Sequence, residues 1–327
     1  MYICINTLVP LPIEQRAQGK HYFNTKMKQV FKGKFQSTEE ILQMLKRQGL
    51  LIEDDERAAH ILKNVSYTRL KSYMVPFMED RKSHKFKYGA TFEQVYALYG
   101  FDRRVRELIF HEMEKVEISI RTQMAFVSAG SDHGYWYTNR KYFQNNAMHK
   151  SIMYRIKGEI NRTDNDGIKN FQEKYSNEFP PCWLALEALS MGTLSTIYSE
   201  LNPGKLRRSI AEYYGVSDTV FISWLHHLVY IRNNCAHHNR LWNKTLSIRP
   251  MVPSKPDKYF PPLSAEDTAH VYATLCMIKF LQDTVKPTNT FALRLQTLLD
   301  NYPIVDPAKM GFPTNWREDP LWKYPTL

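Results

Sequence analysis

Cysteine is scarce and scattered: Cys4, Cys182, Cys235 and Cys276 form no C-x-x-C pair, which argues against both a zinc ribbon and a dense disulfide framework. That usage fits a reducing compartment. No stretch approaches the roughly 18 apolar residues of a membrane helix, and the opening MYICINTLVPLPIEQR lacks a basic n-region and a small-residue cleavage site. A cytoplasmic protein with no membrane partner is expected. Alternating apolar and polar runs of the kind that make strands are missing, and no fixed-period repeat occurs. H-E-x-x-H is absent as well, and with it the usual carboxylate-bearing zinc pattern.

What the chain does have is apolar content and positive charge. At 43% hydrophobic and 24% charged residues over 327 positions, it reads as a globular chain of one large or two unequal domains with a substantial core. Lys and Arg number 44 against 33 Asp and Glu, a net charge of +11. The excess is uneven: residues 1–90 carry 16 basic and 9 acidic side chains, or +7. A polyanion is the expected large partner, met by the N-terminal part.

Helix punctuation divides the chain. Residues 1–36 form an irregular basic lead-in in which Tyr22, Phe23, Phe31 and Phe35 alternate with Lys26, Lys28, Lys32 and Lys34. Such aromatics can stack on unpaired bases while the lysines neutralise phosphates; an ordinary solvated segment fits the same composition. Ser37-x-x-Glu40 opens a small N-terminal helical module over 37–88, whose Arg69 and Lys71 join the RNA-binding candidates. A larger helical domain over 89–301 follows, then a C-terminal tail, 302–327, expected to be irregular and laid over the surface. Thr91-x-x-Gln94 is expected to start one helix, and Asp102 to cap a longer one reaching Val127. Further helices are expected near 147–161, 182–201, 204–214, 218–238, 264–283 and 288–300. The fold class is all-α.

On the helix from 102, Val105, Ile109, Met113, Val116, Ile120, Met124 and Val127 share an arc of about 100° and make a core-facing stripe. Arg103, Arg106, Glu114, Glu117 and Arg121 share a neighbouring arc, with Glu117 and Arg121 the obvious i,i+4 ion pair. That arc is either a ladder fixing helix register or the supporting wall of an active cleft.

The sharpest constellation is IRNNCAHHNRLWN, residues 231–243. Cleavage of a phosphodiester by its ribose 2′-OH needs a group that exchanges protons near neutral pH and a fixed cation at the phosphorane oxygens. Imidazole and guanidinium supply these. Measured from Arg232, a regular helix puts Ala236, Arg240, Asn233 and His237 at about 40°, 80°, 100° and 140°, within one broad arc. The spacing by itself leaves a purely structural Arg–His role open, and a metal site from His226, His227, Cys235, His237 and His238 is a further chemical option.

RNNCAHH followed by RLWN resembles the RN-x-CAHH-x-RLWN signature of the Abi-like (AbiD/AbiF) abortive-infection family, itself a form of the R-x4-6-H motif of HEPN ribonucleases. NVSYTRLKSYMVPF, TFEQVYALYGFDRRVRELI and PPCWLALEALSMGTLSTIYSEL resemble other family segments in the same order. Thr68, Lys71 and Ser72 depart from the usual pattern. The resemblance implies a HEPN-type helical bundle that cuts RNA without a metal or other cofactor. In that reading Arg232 clamps phosphate, His237 is the acid/base and Asn233 orients cleft groups, with His238, Arg240, Glu117 and Arg121 in supporting positions. HEPN sites usually pair two copies of the motif, so a homodimer is implied; Arg106-x4-His111 is the alternative second half-site within the chain. Some relatives are encoded beside a structured noncoding RNA, which implies a ribonucleoprotein, in which the chain is either a nuclease or a noncatalytic RNA-binding protein.

Overall fold

The computed structural model describes residues 34–80 and 82–323. Among them the fold is all-α, with three isolated bridge pairs and no strand. Three short helices come first: α1 (Thr38–Arg47), α2 (Asp55–Val65) and α3 (Tyr67–Met74). The long α4 (Phe92–Ser128) precedes α5 (Asn146–Ile160), α6 (Asp166–Lys174), α7 (Cys182–Ala185) and α8 (Met191–Glu200). Then come α9 (Lys205–Tyr213), α10 (Asp218–Ala236), α11 (Val271–Val285) and α12 (Phe291–Asp300).

Local chemistry explains the starts. The Ser37 hydroxyl accepts from the Glu40 amide at 3.2 Å while the Glu40 carboxylate accepts from the Ser37 amide at 2.7 Å, closing the expected capping box. Thr91 and Gln94 repeat it at the head of α4. From there α4 does not stop at Gly100. It runs for 37 residues, about 55 Å at the standard rise, and Asp102 lies buried inside it rather than capping a second helix. One glycine costs a helix about 1 kcal/mol, and burial of Leu98 on one side of it and Phe101 and Val105 on the other outweighs that. The predicted stripe faces the core: Val105, Ile109, Met113, Val116, Ile120 and Met124 are buried, and Val127 at its end is half-buried against them.

Around α4 pack α3, α7, α9, α10, α11 and α12. Helix α11 is buried at every residue from Val271 to Gln282 and only half-buried in its last three, as a helix that is largely apolar all round should be. The helix expected over 182–201 is instead split. Ser190 takes an N-cap role, accepting from the Thr193 amide, and Glu159 of α5 accepts from both the Ser190 amide and the Thr193 hydroxyl at 2.7 Å. Helix α6, capped by Asn165, had no counterpart in the expected list. The tail also differs from expectation. Its described residues form no α-helix, only three short 3-10 turns, but Trp316, Leu321 and Trp322 are buried, with Trp322 against Phe291 and Tyr272, because large apolar side chains gain more by filling the core than by lying on it. No described helix is long and apolar enough to cross a membrane.

Candidate functional site

The motif occupies the last turn of α10 and the loop that leaves it. The helix closes with a Schellman arrangement: the His238 amide donates to the Cys235 carbonyl at 3.0 Å and the Asn239 amide to the Asn234 carbonyl at 2.8 Å. The residue in the left-handed position, usually glycine, is His238, with φ 55°. The chain reverses there, so the regular helix used to place Arg240 ends first. Arg240 swings to α3, where its Nη1 donates to the Ser72 carbonyl at 3.2 Å.

One carboxylate organises the loop. Asp102 is fully buried and accepts the amides of Leu241 and Trp242 on Oδ1, at 3.0 and 2.7 Å. Its Oδ2 accepts from the Tyr73 hydroxyl at 2.6 Å and from the Arg106 guanidinium. Burial, and then the neighbouring Asp102 carboxylate, push the Tyr73 hydroxyl's pKa up. Arg106 also reaches the Asn239 carbonyl at 3.3 Å, and Arg69 of α3 the His238 carbonyl at 2.7 Å. Two distant segments thus hold the loop: α3, through Arg69 and through Tyr73 on Asp102, and α4, through Asp102 and Arg106. Sequence reading missed Asp102 as this hub. The available signal was an aspartate inside an otherwise apolar-periodic helix.

Between α4 and α10 runs a furrow made of two joined cavities that share Phe110 and Glu114. One, about 510 Å³, is lined by Arg103, Arg106, His111, Glu114, Ala236 and His238, among others. The other, about 270 Å³, is lined by Glu114, Glu117, Arg121 and Arg232 between apolar walls. The charged arc of α4 therefore borders the furrow, and it is also structural. Arg121 pairs with Glu117 at 2.9 Å and donates to the Leu186 and Leu189 carbonyls at 2.8 Å, bracing the break before α8. Arg106 is buried and committed to Asp102, so the Arg106/His111 pattern presents no free guanidinium. A larger cavity, about 730 Å³, opens between α4 and α12, but its Arg104 and Arg294 are paired with Glu107 and Glu112.

Arg232 stands apart from these arginines. It is half-buried and forms no ion pair among the described residues; its Nη1 donates to Asn233 Oδ1 at a long 3.4 Å. His237, the residue capping α10, is exposed. His238 is exposed too and lines the furrow on one side and a second, polar cavity by α3 on the other. Cys235 also reaches the furrow, but burial pushes its thiol up to about 12, so it is protonated at neutral pH. Of the metal-site histidines, His227 is buried, bonded to the Ile248 carbonyl and the Thr274 hydroxyl at 2.8 Å. Burial drives its pKa down to about 4. No group of three or more potential metal ligands comes together among the described residues. Lys34 and Lys71 are exposed; Lys26, Lys28 and Lys32 lie outside the described residues.

Among the described residues the protein is thus an all-α bundle in which the Arg232-to-Trp242 segment is pinned beside a charged furrow. The chain belongs to the Abi-like protein family, whose profile matches residues 60–243, more than half its length. That span runs from α2 through Trp242 and Asn243, so it contains the Asp102 hub and both walls of the furrow. Membership suggests abortive-infection defence. No curated protein and no solved structure gives a significant match.

Proposed function

We propose that this protein is an anti-phage endoribonuclease of the HEPN class, with its active cleft in the furrow between α4 and α10. One observation carries the reading. Arg69, Arg106, Arg121 and Arg240 around the motif are each tied to a carbonyl or carboxylate, whereas Arg232 is half-buried in the furrow and left without a counter-ion. A guanidinium held that way suits the non-bridging oxygens of a phosphodiester. His237 then exchanges protons, and Asn233 sits against Arg232 as its orienting neighbour.

In the reaction the ribose 2′-oxygen attacks the adjacent phosphorus as its proton leaves to base. The new O–P bond forms, the bond to the 5′-oxygen breaks, and that oxygen takes up a proton, leaving a 2′,3′-cyclic phosphate and a 5′-hydroxyl. Acid/base and cationic groups suffice for each step, so no metal or other cofactor is assigned. Each chain offers a single Arg232–His237 pair, and a homodimer would supply the second. Phe110 and Ile118, 48% and 54% exposed along the furrow wall, give a second copy an apolar footing.

The deciding experiment is an end-group assay on RNA. Cleavage should persist in EDTA, yield cyclic phosphate ends and vanish with a 2′-deoxy residue at the cut site. His237→Ala should lose about 10²–10⁴ in rate. Arg232→Ala should be similarly impaired, with Lys rescuing poorly for want of the planar fork. Neither side chain is fully buried, so both variants should fold and bind RNA. Equal cleavage by His237→Ala would return the protein to a noncatalytic RNA-binding role.

A further inference from the structure

On the far side of His238 from the furrow lies a smaller cavity, about 280 Å³, between the first turns of α3 and the motif loop. Two guanidiniums line it, Arg69 from α3 and Arg240 from the loop, with the hydroxyls of Ser66, Thr68 and Ser72 and the His238 side chain. The arginines cross the seam in opposite directions: Arg69 Nη1 donates to the His238 carbonyl at 2.7 Å, and Arg240 Nη1 to the Ser72 carbonyl at 3.2 Å. Each bond uses one N–H of a fork that has several. Neither arginine forms an ion pair among the described residues, and no carboxylate lines the cavity. Asp102, the nearest acid in the hydrogen-bond network, is saturated by Arg106, Tyr73 and two amides. Two arginines without a counter-ion among the described residues therefore line one concavity that no carboxylate enters, an arrangement that suits an anion with several acceptor oxygens.

We propose that this cavity binds a second backbone phosphodiester of the RNA whose scissile phosphate is held at Arg232, so that the strand passes across His238 from the furrow to this cavity. The proposal rests on the nuclease reading for its choice of ligand. It adds a subsite built jointly by α3 and the motif loop, in which Arg69 and Arg240 hold the phosphate and the hydroxyls of Ser66 and Thr68 supplement them. It also gives the α3 segment a task beyond bracing the loop.

The test uses the full chain and a single-stranded 2′-deoxy-substituted oligoribonucleotide that cannot be cut by its own 2′-OH, so binding is read whether or not the protein is a nuclease. Affinity is measured across a salt series. Arg69→Gln combined with Arg240→Gln should weaken binding about tenfold or more and reduce the slope of log affinity against log salt by about 0.7 for one lost phosphate contact. Arg→Lys at both positions keeps the charge and should keep the slope. Thr68→Glu leaves both braces in place, puts a carboxylate into the cavity at a helix start that favours it, and should reproduce the loss without lowering Tm. A folded Thr68→Glu protein with wild-type affinity and slope overturns the proposal. So does an Arg69/Arg240 pair of Gln substitutions that lowers Tm but leaves the slope intact, since that is bracing alone. Inorganic phosphate that raises wild-type Tm as much as the oligonucleotide does, and not that of Thr68→Glu, would make this a free-anion site and overturn the RNA assignment.

Discussion

At position 238 the backbone is left-handed, φ 55°, a conformation that costs a residue with a Cβ about 1 kcal/mol or more relative to glycine. The helix end itself needs only the turn, so the imidazole is kept against local preference at the point where two cavities meet. His238→Gly should therefore raise stability by about 1 kcal/mol, with His238→Asn intermediate and His238→Ala no better than wild type, measured by urea denaturation. If Ala stabilises as much as Gly, the turn is not strained. His227 gives a pH-dependent term of a different kind. Burial holds its pKa at about 4 in the folded state, against about 6.5 when unfolded. Between those values the unfolded chain binds the extra proton. The stability is thus fully present above about pH 6.5 and is lost as pH falls toward 4, by roughly 3 kcal/mol. His227→Gln should flatten that part of the stability profile; an equally steep acid loss in the variant would assign it to other groups.

The loop from His237 to Trp242 is an element without regular structure, held by a carboxylate from one helix and an arginine from another. Its most sensitive position should be Asp102. Asp102→Asn leaves the Arg106 guanidinium buried without its partner, and breaking a buried pair this way costs about 3–5 kcal/mol. Removing both charges, with Arg106→Gln added, should recover part of the loss. A double-mutant cycle with purely additive costs would show that the two side chains are not coupled. Much of this element was legible in advance: the R-x4-H spacing, the end of α10 near 238 and the Glu117–Arg121 pair follow from helical periodicity. Arg240 was not, because periodicity extrapolates a helix past the residue at which it stops. Asp102 was misplaced for a related reason, since an aspartate near a glycine looks like a cap until the loop that uses it is brought alongside.

For the molecule as a whole, charge and assembly matter more than any single contact. The net charge of +11 favours a polyanion by counterion release at any contact surface. If the catalytic cleft pairs two copies, specific activity should drop as the protein is diluted through the dimer's dissociation range. Mixing wild-type chains with Arg232→Ala chains should then cost more activity than dilution alone. Full activity from a demonstrated monomer would refute the shared cleft.

The sequence by itself determined the helical class, the apolar stripe of α4, the helix starts at Ser37 and Thr91, and the residue types at the motif, because each depends on spacing and side-chain chemistry within a few residues. Only the tertiary structure decided which of the arginines around the motif are occupied. Arg69, Arg106, Arg121 and Arg240 are each engaged by acceptors more than sixty positions away, whereas among the described residues Arg232 bonds to its chain neighbour Asn233. Those pairings depend on how α3, α4 and α10 pack around Asp102, and no pattern along the chain encodes the angle at which helices meet.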